Sequence, residues 1–144
     1  MSELTLAKAQ DLIAAALSAE RSTPRRPIAI AVCDAGGHPL ALGREADAPP
    51  LLAHIATAKA FTCIAYGKAT GELAAVADDY PVWFNGISRV AVSSMGLPLI
   101  GSKGGLSFRN GDGRLLGAVG VAGETGDNDD ALAKIGIAAA GFCP

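Results

Sequence analysis

Leu106-Ser107-Phe108-Arg109-Asn110-Gly111-Asp112-Gly113-Arg114-Leu115-Leu116-Gly117-Ala118-Val119-Gly120-Val121 decides the fold, because two short apolar runs flank an Asn-Gly-Asp-Gly turn. They read as antiparallel strands of a hairpin. Upstream, Val90 to Val92 and Leu97 to Ile100 are further strand-like runs separated by glycines. Ile28 to Val32 and Leu40 to Leu42 flank Asp34-Ala35-Gly36-Gly37-His38-Pro39, a second hairpin with Gly36 and Gly37 supplying positive φ. Helical periodicity lies between and around these runs. Thr5 caps a stripe of Leu6, Ala9, Ile13, Ala16 and Leu17 that ends at Pro24 and Pro27. Pro49 and Pro50 open a buried helix from Leu51 to Tyr66, with no breaker before Gly67. Thr70 begins a shorter one over Gly71 to Ala77, and Asp78 to Gly86 reads as an irregular loop holding three aromatics. Thr125 or Asp127 caps a final helix, with Asp129 and Asp130 at the positive end of its dipole. This order predicts an α+β fold, an antiparallel sheet covered by helices, in a single domain over 1–144.

A chain of 144 residues and 14.4 kDa supports one domain, and 50% hydrophobic against 18% charged residues excludes a disordered or solvating segment. So apolar a balance in a small domain leads us to expect a homo-oligomer, in which a second copy covers part of the surface. The net charge of -2 leaves no footprint for nucleic acid, since no basic cluster exceeds Arg25-Arg26. No apolar run approaches the roughly 20 residues of a membrane span, so no membrane partner is expected. The chain opens on Ser2 and Glu3 rather than a basic, apolar export signal, which points to a cytoplasmic protein. Cys33, Cys63 and Cys143 show neither a CxxC nor zinc spacing; they read as buried small hydrophobes, and no metal is expected.

The buried helix carries the most chemistry. At roughly 100° per residue, Leu52, Ile55, Lys59, Thr62 and Tyr66 share one stripe, and Leu51, His54, Ala58, Phe61 and Ala65 share another, so both faces are covered. A buried ammonium needs a carboxylate, a ligand anion or a route to solvent. With Thr62 and Tyr66 beside it, Lys59 is a candidate for a pocket that holds an anionic or carbonyl-bearing molecule; a structural salt bridge accounts for it as well. His54 is a candidate proton shuttle or iron ligand, or else a plain interface histidine. His38 reads as a solvated imidazole and Asp34 as an Asx-type turn. Gly101-Ser102-Lys103-Gly104-Gly105 lacks the following helix of a phosphate loop, but it suits a ligand-lining turn: Gly104 and Gly105 present backbone N–H groups, and Ser102 and Lys103 add donors. Trp83 and Phe84 suit an apolar wall for a flat ligand, and an oligomer contact accounts for them equally.

Four segments in order, Val32-Cys33-Asp34-Ala35-Gly36-Gly37-His38, Ala58-Lys59-Ala60-Phe61-Thr62, Gly104-Gly105 and Gly117-Ala118-Val119-Gly120-Val121-Ala122-Gly123, resemble the GlcG/HbpS-like family, with similarity from Leu4 to Gly141. The resemblance implies a five-stranded antiparallel sheet flanked by helices in α/β/α layers, assembled into dimers and higher oligomers. It implies haem or another tetrapyrrole as the cofactor class, because some relatives bind haem and act in haem or iron sensing and degradation. One branch is fused to corrinoid adenosyltransferases, and others serve small-acid pathways. The family's Ala-Lys-Ala segment carries over onto Lys59 and its glycine turn onto Gly104 and Gly105. The chain departs from the family at His54, where small or aliphatic residues are usual, and at the aromatic Trp83-Phe84-Asn85.

Three functional readings follow. A tetrapyrrole- or small-ligand-binding protein needs an apolar slot, an axial donor from His54, Tyr66 or Thr62, and cations from Lys59, Lys103 and Arg109. The alternative is a proton-transfer enzyme, an isomerase, tautomerase or lyase acting on a carbonyl or carboxylate compound. There Lys59, its pKa lowered by burial, polarises the carbonyl, His54 or Tyr66 shuttles the proton, and the N–H groups of Gly104 and Gly105 stabilise the oxyanion. The third is an oligomer without chemistry, in which Lys59 is salt-bridged.

Overall fold

In the computed structural model, which describes residues 3–144, the Asn110 turn forms the expected hairpin. β3 (Gly105–Arg109) and β4 (Leu115–Ala122) pair antiparallel, Gly113 turns the chain at φ +83°, and Asn110 Oδ1 accepts from the N–H groups of Asp112 and Arg114. Ser2, part of the N-terminal reading, lies outside the described residues. β1 (Ala29–Asp34) and β2 (Pro39–Arg44) form the second hairpin. Asp34 Oδ1 accepts from Gly36 N–H at 2.9 Å and His38 N–H at 3.0 Å, the Asx-type turn expected of it. Of the two turn glycines only Gly37 takes positive φ, at +82°, where both were expected to. The strand order is β2-β1-β4-β3, every neighbour antiparallel.

Helices cover both faces of this sheet. α1 (Leu6–Ser18) is capped by Thr5, whose Oγ1 accepts from Lys8 N–H at 3.1 Å; α5 (Gly126–Ala139) is capped by Thr125 rather than Asp127. Both lie on one face, where Leu12 and Ile137 meet Ile30, Val32, Phe108, Val119 and Val121, all without solvent exposure. Each such side chain contributes roughly 1.5–3 kcal/mol on burial, so this face supplies most of the apolar stabilisation. α2 (Leu51–Tyr66) covers the opposite face, which is built from small residues: Ala29, Ala31, Ala118 and Ala122 against Ala56 and Ala60. A Cβ on Gly120 would stand 2.0 Å from the Ala56 carbonyl oxygen. Only glycine there lets the helix backbone rest directly on β4.

The sheet has four strands, not the five that the resemblance implies. Val90 to Val92 belongs to a helix, α4 (Pro81–Met95), and Leu97 to Ile100 joins no strand because side chains hold its backbone. Ser88 Oγ accepts from Leu99 N–H and Thr62 Oγ1 from Ile100 N–H, both at 3.0 Å. α4 also takes in Trp83-Phe84-Asn85, expected in a loop. Pro81 sits at the first helical position, where proline starts a helix instead of breaking one. Phe84, Ile87 and Ala91 recur at helical spacing and fill a second small core with Phe61, Leu73 and Leu99, which overrides the strand preference of Val90 and Val92. The stretch expected as one short helix over Gly71 to Ala77 is a 3-10 turn (Thr70–Leu73) followed by α3 (Ala74–Asp79). Among the described residues no helix is long and apolar enough to cross a membrane.

Candidate functional site

Lys59 leaves α2 toward the junction of β4, the 101–105 loop and the first turn of α5, and is 4% exposed. Its Nζ donates to the carbonyls of Lys103 at 2.7 Å and Val121 at 2.8 Å, and to Asp129 Oδ2 at 3.4 Å. All three ammonium protons therefore have acceptors inside the protein. Asp129 Oδ1 accepts in turn from Glu124 N–H at 3.0 Å. Burial lowers the Lys59 pKa against the pull of Asp129, and burial raises that of Asp129 to about 6 against the pull of Lys59. The arrangement is a clamp that ties four elements through one buried ion pair. A shallow cavity of about 270 Å³ lies beside it, lined also by Leu52, Ile55, Ser102, Lys103 and Glu124.

The glycine turn completes the clamp. Gly104, at φ +121°, donates its N–H to Asp130 Oδ1 at 2.7 Å, and Gly105 donates to Thr70 Oγ1 at 2.8 Å. The two amides expected to face an oxyanion are thus held by the protein's own side chains. A Cβ on Gly104 would stand 2.3 Å from the Val121 carbonyl oxygen and 2.8 Å from Lys59 Nζ. What approaches these glycines closely is the fold itself. Lys103 is exposed and its ammonium pairs with Asp127; Ser102 is exposed beside it. Thr62 is fully buried, donating to the Ala58 carbonyl at 2.6 Å and accepting from Ile100.

Tyr66 and Trp83 meet elsewhere, in an apolar groove of about 250 Å³ between the end of α2 and α4. Ile87, Val90 and Met95 form its α4 wall, and Ala91 and Leu99 also line it. Trp83 is 50% and Tyr66 38% exposed, so both rings are open to solvent. Phe84 turns inward to the second core. His54 is exposed, and the positions separating it from Tyr66 correspond to about 18 Å at roughly 1.5 Å per helical residue, so the two cannot act on one atom. None of Lys59, Lys103 and Arg109 lines the groove. Arg109 donates to the Gly113 carbonyl at the β3–β4 turn. Lys68, exposed, follows Tyr66 by two residues.

Asp129 and Asp130 were legible as helix-end acids but not as partners of Lys59 and Gly104; the signal available was that a buried lysine requires a carboxylate. Ile87, Val90 and Met95 carry no site signal in the sequence, because α4 reads there as loop and strand. Cys33 and Cys63 are buried, and burial pushes both thiols up to about 12, whereas Cys143 is exposed, against expectation. Among the described residues no group of three or more His, Cys, Asp or Glu could hold a metal ion.

A family model described as "Haem degrading protein HbpS-like" matches residues 4–138. A solved complex of PduOC with haem is 26% identical, over 96% of this chain and 95% of that one, with a TM-score of 0.76. A double mutant of Streptomyces reticuli HbpS is 29% identical, over 96% of this chain and 87% of that one, with a TM-score of 0.73. The Klebsiella pneumoniae protein ORFY, 23% identical over 97% and 92% with a TM-score of 0.78, shares the fold. No curated protein matches the sequence.

Proposed function

Since the chain belongs to the HbpS-like family, we propose that it binds haem, and that it does so in the groove between α2 and α4. The observation that carries this reading is the groove's lining: mostly apolar, with the Trp83 indole as a flat face and with a phenol and a thioether, Tyr66 and Met95, of the side-chain types able to ligate iron. These donor types are ones that hold haem iron, so the residues present fit the group. Tyr66 would donate to the iron, and Trp83, Ile87 and Val90 would supply apolar contact. Lys68 stands nearby in sequence for the propionates, in place of Lys59, Lys103 and Arg109. At about 250 Å³ the groove is smaller than a pocket of roughly 300–1,000 Å³, so it would hold only part of such a ligand. Haem brings a redox-active iron and a Soret absorption; the chain's own residues bind and orient it.

A haemin titration followed at the Soret band tests the proposal. Wild-type protein is expected to saturate, Trp83→Ala to bind about tenfold more weakly, and Tyr66→Phe to lose the wild-type band position while keeping the fold. Haemin binding that is indifferent to both substitutions would remove the groove as the site.

A further inference from the structure

Met95 ends α4 and lines the groove between α2 and α4, yet its side chain stands 56% exposed. A thioether is apolar enough for such a wall, and it is also a group that peroxides oxidise. No other sulfur atom lines the groove. Cys33 and Cys63 are buried, and the exposed Cys143 stands at the bridge to Arg109 beside β3.

The surroundings of Met95 suit the thioether and not its oxidised form. Ile87, Val90, Ala91 and Leu99 make this part of the lining apolar. α4 has no basic residue in its last turn, and the Gly96 N–H turns back to the carbonyls of Ala91 and Val92, at 3.1 and 3.0 Å. Neither a cation of that turn nor the cap amide is therefore free to receive a new oxygen, and the negative pole of the helix stands there instead. The side-chain donors left in the lining are the Tyr66 phenol, the Trp83 indole and the Ser94 hydroxyl. An oxygen on Met95 that recruits Tyr66 or Trp83 occupies a side chain that haem binding needs.

We propose that Met95 is an oxidation site through which hydrogen peroxide lowers the groove's affinity for its ligand. The effect on haem rests on the groove being the haem site; the oxidation itself does not. The sulfur lone pair attacks one peroxide oxygen, the S–O bond forms as the O–O bond breaks, and the other oxygen leaves as water with both peroxide protons. Sulfur loses two electrons and the peroxide gains them. The sulfoxide sets a strong acceptor into an apolar wall, at a cost to whatever apolar surface packs there. Two thiols reverse the step, giving the thioether, a disulfide and water, which is the chemistry of methionine sulfoxide reductases.

To test this, the full chain in a Cys143→Ser background is treated with hydrogen peroxide, freed of it and titrated with haemin, with Met95→Leu and Trp83→Ala in the same background alongside. The tryptic peptide 90–103, which contains Met95, is expected to gain one oxygen, about 16 Da. Haemin is expected to bind the oxidised protein about tenfold more weakly, and methionine sulfoxide reductases to restore both mass and affinity. Met95→Leu is compared with itself, and peroxide is expected to leave its affinity where the untreated variant has it. An unmodified Met95, an oxidised Met95 with undiminished affinity, or an equal loss in Met95→Leu would each overturn the switch while the groove stands as the haem site. Untreated protein whose haemin binding ignores Trp83→Ala would instead remove the groove as that site, and the switch with it.

Discussion

Lys59→Met removes an ammonium while keeping most of the side chain's length, so it separates the charge of the clamp from its packing. Left behind are the carbonyls of Lys103 and Val121 and the carboxylate of Asp129, which retains only the Glu124 N–H. Breaking one half of a buried pair costs about 3–5 kcal/mol, against a total stability of roughly 5–15 kcal/mol for a domain. For a chain of this length that loss lowers Tm by about 10–20 °C. Lys59→Met/Asp129→Asn removes the stranded charge and keeps an acceptor for Glu124, so the double variant is expected to be more stable than the single one. The pH dependence has a definite sign. Burial raises Asp129 from an ordinary 3.8 to about 6, so its favourable contribution is fully present below the unfolded value and is lost as pH rises through the folded one. Without Lys59 the folded value moves higher still, and the single variant comes closer to wild type at pH 5 than at pH 8. Urea melts at both pH values measure this, with haemin titration alongside, expected to be unchanged in any folded variant. A Lys59→Met protein within about 0.5 kcal/mol of wild type at both pH values would refute the clamp.

Gly120→Ala places a Cβ 2.0 Å from the Ala56 carbonyl oxygen and forces α2 off the sheet; a loss of about 3 kcal/mol or more is expected in thermal melts, with Gly111→Ala, whose Cβ meets nothing within 4 Å, as the near-neutral control. Thr62→Val keeps the side-chain shape but strands the Ile100 N–H, so a loss of about 1–3 kcal/mol and faster hydrogen exchange at Ile100 are expected.

Short-range signals made most of the fold legible. Thr5 before its apolar stripe, Pro50 before Leu51, and the two glycine-rich hairpin turns each act within a few residues, and each formed its element. α4 was hidden because its local signals conflict: Pro81 reads as a breaker and Val90-Ala91-Val92 as a strand, while the residues that settle the matter, Phe61, Leu73 and Leu99, lie outside the segment. The fifth strand failed for a similar reason, since Thr62 and Ser88 reach across sequence to hold the backbone that would have paired. At the site, the burial of Lys59 and its need for an anion were readable from helical spacing. Its partner was not, because Asp129 is 70 residues away and its place at a helix start is explained locally by the dipole. Gly104 and Gly105 signalled a close approach without saying by what.

Placed on the fold, the segments that carry the family resemblance are mostly architectural. Ala58-Lys59-Ala60 and Gly117 to Gly123 meet where α2 lies on β4, and Gly104-Gly105 closes the loop over the ammonium. Such a seam tolerates little change, because a single methyl at Gly120 or Gly104 collides with backbone. The groove is under no comparable constraint. Its α4 wall includes Trp83, and while Ile87, Ala91 and Leu99 back it from the second core, Tyr66, Trp83, Val90 and Met95 face solvent. A fold held by one set of residues and a ligand surface carried by another can keep the first while the second changes. Substitutions in the clamp should therefore act through stability and those in the groove through ligand affinity, so the Lys59 and Trp83 variants separate the two.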